Sequence, residues 1–88
     1  MKLTDLKLFK HPAGFQHREL FPNSYGVSVI PESDGITYEV AVLQHTEGKR
    51  QHLCYTTGIT ADVIRYATVD TVDALIERIR SLPAPEDG

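Results

Sequence analysis

Five apolar residues near the end of the chain, Val72, Leu75, Ile76, Ile79 and Leu82, recur at spacings of 3, 1, 3 and 3, which sets them on one stripe of an α-helix. The spacing predicts a helix from Asp70 to Leu82, capped by Thr68 or Asp70 and stopped by Pro83. One amphipathic helix cannot bury its stripe alone, so the remainder of the chain must offer a matching apolar surface. Residues 24 to 57 supply it as three strands. Ser24 to Ile30 alternates Tyr25, Val27 and Val29 with Gly26, Ser28 and Ile30; Ile36 to His45 sets Tyr38, Val40 and Val42 on one face; Gln51 to Thr57 follows with Leu53 and Tyr55. Asp34-Gly35 marks the turn between the first two. The expected fold is a two-layer α+β domain: a three-stranded antiparallel sheet, with room for a fourth edge strand, packed by the C-terminal helix. At 88 residues the chain holds one such domain, spanning 1–83, with 84–88 a frayed tail.

Two stretches are less determinate. Thr4 to Lys10 suits a short capped helix or a strand, and Val63 to Ala67 a short strand or extended lead-in to the helix. Residues 11 to 23 combine His, Pro and Gly with Phe15, Leu20 and Phe21, which predicts a loop whose apolar side chains dock on the core.

The hairpin after His45 carries the sharpest chemical constellation. A two-residue turn at Gly48-Lys49 sets His45 opposite His52, with Cys54 two residues along the same face. Two imidazoles and a thiolate are competent zinc ligands, so a small metal-binding domain using His45, His52 and Cys54 is one reading of the chain. The alternative is a pair of exposed histidines beside a part-buried thiol. Cys54 with a histidine also has the composition of a nucleophile and base, but the spacing provides no orienting group or oxyanion site, and the expectation is a non-enzymatic protein. No Gly-rich phosphate loop or calcium loop is present, and no cofactor is implied.

The net charge of −3 is unevenly distributed. Lys2, Lys7, Lys10 and Arg18 outnumber Asp5 and Glu19 in the first thirty residues, whereas ten acids face five bases in the remainder. No cationic cluster suited to phosphates appears, which argues against nucleic acid as a partner. If the chain starts with a helix, its order of elements matches double-stranded-RNA-binding domains. Those domains place lysines where this chain has Asp70 and Asp73, carboxylates that repel phosphate. No run approaches the ~20 apolar residues of a membrane span, and a lone cysteine with no apolar leader suits the reducing cytoplasm.

The run Tyr25 to Ile30, then Ile36 to Leu43, then Asp62 to Tyr66 leading into the helix, resembles the small accessory proteins of bacteriophages and prophages. The resemblance covers residues 24 to 83 and implies a single-domain cytoplasmic protein that inhibits or regulates a host or phage protein by binding it. Two surfaces suit such a role. Asp62, Asp70, Asp73 and Glu77 form a candidate acidic patch for a basic partner, and an uncovered sheet edge is a candidate site for pairing with a second copy.

Overall fold

The computed structural model describes residues 1–12, 14–45, 51–53 and 63–83. A 3-10 turn at Leu3–Asp5 leads into β1 (Lys7–His11), β2 (Gly14–Leu20), β3 (Tyr25–Pro31), β4 (Tyr38–His45), β5 (Gln51–Leu53) and β6 (Ile64–Ala67), followed by α1 (Val69–Arg80). Strands β1 to β5 form an antiparallel meander in chain order, and β6 also pairs with β4. The sheet is five lanes wide. Strand β5 pairs with β4 at Leu43 to His45 and β6 pairs at Tyr38 to Val40, so these two short strands share the edge of β4 opposite β3.

The two-layer α+β arrangement is the expected one, with the sheet wider than three strands. The added width comes from the hairpin of residues 7–20: Lys7–His11 takes the strand alternative for the first segment, and Gly14–Leu20 is a strand where a loop is expected over 11 to 23. Phe21 does dock on the core, but Phe15 and Leu20 stay at the surface. Phe15 lies at the hairpin end, beyond the strands that the helix covers, and Leu20 points to the sheet face opposite the helix.

Helix α1 lies over β3 and β4. Val72, Ile76 and Ile79 meet Val27, Val29, Val40 and Val42, with Leu75, Ala67, Leu3, Leu6 and Phe21 closing the cluster and Tyr25, Tyr38 and Ile64 packed at its margin. Full burial of each such aliphatic side chain is worth about 1.5–3 kcal/mol. Ala41 and Leu43 alternate to the other face and are buried as well.

Of the two candidate caps the structure selects Thr68, whose hydroxyl accepts from the Thr71 N–H at 3.3 Å. The helix ends at Arg80 rather than Leu82. There the Asn23 side-chain amide donates to the carbonyl oxygens of Ile79 (2.8 Å), Arg80 (3.2 Å) and Leu82 (3.0 Å), satisfying acceptors that a helix end leaves open. The β3–β4 turn has the expected chemistry. Asp34 Oδ1 accepts from the N–H groups of Ile36 and Thr37, both at 2.8 Å, and Gly35 takes the positive φ of 71°.

Candidate protein interface

The β1–β2 hairpin is where the sheet extends past its helix. Its register pairs Lys7 with Arg18, Leu8 with His17, Phe9 with Gln16 and Lys10 with Phe15. His17 in turn pairs with the core residue Val29, which assigns Leu8, Lys10, Phe15 and His17 to the helix side. Lys7, Phe9, Gln16, Arg18 and Leu20 occupy the face away from it. Leu8 and Phe15 are 55% and 54% exposed, and Phe9 and Leu20 are exposed too. Four apolar side chains therefore meet solvent on one two-stranded segment.

The far face is shaped by a missing side chain. Gly26 pairs with Leu20 on one side and Leu43 on the other, and a Cβ there would lie 2.6 Å from the Glu19 carbonyl oxygen and 2.8 Å from Leu20 Cδ2. Leu20 thus lies over Gly26. Beside it the Arg18 guanidinium stacks 4.4 Å from the centroid of the Phe9 ring, and Lys7, Phe9, Arg18, Glu19 and Leu20 line a half-open depression of about 200 Å³. Glu19 Oε1 accepts from the Lys7 N–H at 3.3 Å, joining β2 to β1, and on the far face Gln16 Nε2 donates to Ser28 Oγ at 2.9 Å, joining β2 to β3. On the helix side His17 Nδ1 is buried without a hydrogen-bond partner, and desolvation pushes the imidazole below its ordinary pKa.

Two of the three helix acids, Asp73 and Glu77, have other engagements. Asp73 Oδ1 accepts from the Leu3 N–H at 2.8 Å. Glu77 accepts from the Met1 amino group at 2.9 Å and pairs with Arg80 at 3.0 Å, and these two cations hold its carboxyl below the usual range. Asp70 is exposed in the first helical turn, and Asp62 lies outside the described residues. Asp73 and Glu77 are thus occupied in fastening the start of the chain to α1.

The β4–β5 register differs from the expected one by a single residue. His45 pairs with Gln51, and His52 pairs with Gln44, so the two histidines are not directly opposed. The turn expected at Gly48-Lys49 and Cys54 lie outside the described residues. Among the described residues no three His, Cys, Asp or Glu side chains gather as a metal site.

A second polar cluster sits on β6, at the other side of the sheet. Arg65 makes a two-point contact with Glu32, Nη2 to Oε1 at 2.9 Å and Nε to Oε2 at 3.1 Å, and lies 3.5 Å from Glu39. Glu32 Oε2 also accepts from the N–H of Tyr66, which has a φ of 56°. The hydrogen bond from Arg65, aided by that from Tyr66, holds the Glu32 carboxyl below the usual range against an opposing desolvation effect. This cluster fastens β6 to the end of β3.

The hairpin surface was not foreseen from the sequence. The turn residues Pro12 and Gly14 were the available signal, since the flanking runs 7–10 and 15–20 carry no strict apolar alternation. Comparison with protein-family models, with curated proteins and with solved structures gives no match. Among the described residues no helix is long and apolar enough to cross a membrane.

Proposed function

We propose that this chain is a protein-interaction module, acting as the small phage and prophage accessory proteins it resembles act, by binding a host or phage protein to inhibit or regulate it. The β1–β2 hairpin is its binding surface. The observation that carries this reading is that both faces of one hairpin expose an apolar pair, Leu8 with Phe15 on the helix side and Phe9 with Leu20 on the other. Clustered exposed apolar groups rimmed by charge mark interaction surfaces, and aromatic and arginine side chains are the usual anchors. Phe9, Phe15 and Arg18 are of that kind. The helix is the weaker candidate, because Asp73 and Glu77 already have intramolecular partners.

A capture experiment with the purified chain tests this. A stoichiometric partner held by the wild type and by Asp70→Asn, but lost with the double variant Leu8→Ser/Phe15→Ser, is the expected result. Both substituted positions are exposed, so the double variant keeps its melting temperature and circular dichroism. A partner retained equally by the wild type and the Leu8→Ser/Phe15→Ser variant assigns binding to another surface.

A further inference from the structure

We infer that the open edge of β1 takes up an acidic, extended segment of the partner protein as a further lane of the sheet, an inference that rests on the interaction reading above. Among the described residues β1 pairs with β2 alone; its Lys7 N–H is held by Glu19, and from Leu8 to Lys10 the outer edge presents N–H and C=O groups of a kind that β-strand addition uses. The charge of that edge selects the occupant. Residues 7–20 carry Lys7, Lys10 and Arg18 against Glu19, while residues 21–88 carry ten acids against five bases, so the hairpin is the basic end of an acidic chain.

The pairing geometry makes the selection more specific. A strand laid beside β1 meets Lys7 and Phe9 on the face away from the helix and Leu8 and Lys10 on the helix side, each at cross-strand distance. Each face thus offers one cation and one apolar group. The complementary segment reads acid, apolar, apolar, acid, a palindrome that fits β1 in either direction. The depression between Lys7, Phe9, Arg18 and Leu20 lies beside one of those apolar positions. A second copy of this chain is the wrong occupant for the same reason. Antiparallel pairing of two β1 strands about Phe9 brings four lysines together with no carboxylate in either strand.

The test uses the full chain, labelled with ¹⁵N, and a soluble peptide built of Glu-Val-Val-Glu repeats, with Lys-Val-Val-Lys repeats as its control. The acidic peptide is expected to shift amide resonances of β1 and β2. Its binding should weaken about tenfold or more in Lys7→Glu/Lys10→Glu and should fall as salt is raised. Light scattering of the free chain should give a monomer. The inference is overturned by equal binding of the two peptides, by no shift up to about 1 mM peptide, by shifts on α1 instead, or by a dimer. A natural partner that is lost with Leu8→Ser/Phe15→Ser yet held unchanged by Lys7→Glu/Lys10→Glu leaves the hairpin as the binding surface and removes the acidic strand.

Discussion

Asn23 Nδ2 lies 2.8 Å from the carbonyl oxygen of Ile79, so a residue of the β2–β3 turn terminates a helix 56 positions further along the chain. The same side chain accepts from the Tyr25 N–H through Oδ1 at 3.0 Å, and the turn and the helix end are held by one amide. Removing it in Asn23→Ala leaves the last carbonyls of α1 to solvent and is expected to cost about 1–2 kcal/mol in a urea titration. Asn23→Asp is the sharper comparison. It keeps the acceptor for Tyr25 but turns a carboxylate toward the negative end of the helix, so it should be no more stable than the alanine variant. An aspartate variant as stable as the wild type would show that the donors to α1 contribute nothing.

Gly26→Ala should open the sheet between β2 and β3. The new Cβ would meet a backbone carbonyl oxygen at 2.6 Å, and backbone cannot step aside as the tip of a side chain can. The expected loss is about 1–3 kcal/mol, in the range of overpacked interiors. Hydrogen exchange should quicken in β1 and β2 more than in α1. Uniform quickening would place the damage in the core instead.

His17 confers acid sensitivity near neutrality. Its folded-state pKa lies below the ordinary value of about 6.5, so the native protein binds fewer protons than the unfolded chain between those two values. The stability from the neutral imidazole is fully present above about pH 6.5 and is lost as the pH falls toward the folded pKa. In His17→Phe, melting temperatures recorded between pH 7.5 and 5 should decline less than in the wild type. Parallel curves for the two proteins would assign the decline to other groups.

Glu32 acts lower on the pH scale. Its folded pKa is depressed by Arg65, so its contribution is present above about pH 4.3 and disappears as the pH drops through the folded value. Glu32→Gln should lose stability at pH 7 and converge on the wild type in acid. Exchange of the Tyr66 amide, which donates to Glu32 at 3.1 Å, is the local reporter and should quicken in the variant.

The alternation of Val27, Val29, Val40 and Val42 and the stripe from Val72 to Ile79 were legible because each has a covered face, and a covered face must be apolar. The hairpin of residues 7–20 was not, because the helix covers neither of its sides and both mix lysine, arginine or histidine with leucine or phenylalanine. Periodicity reports burial, and here there is little to report. The β4–β5 register failed for a different reason: Gly48-Lys49 suggested a turn length, and a shift of one residue re-pairs every position along a strand. Helix carboxylates on an outer face read equally well as a patch for a partner or as anchors for the chain's own beginning. Only the three-dimensional contacts of Asp73 and Glu77 separate the two.

The contact between Leu3 and Asp73 also sets a timetable. The β1–β4 meander is built from neighbours in the chain, but its apolar face is closed by a helix that arrives about seventy residues after Leu3. At about 5–20 residues per second, a ribosome takes on the order of 4–15 s to pass from Leu3 to Ile79. During synthesis Val27, Val29, Val40 and Val42 therefore wait without their cover, and the newborn chain is most exposed to aggregation just before its last helix is made.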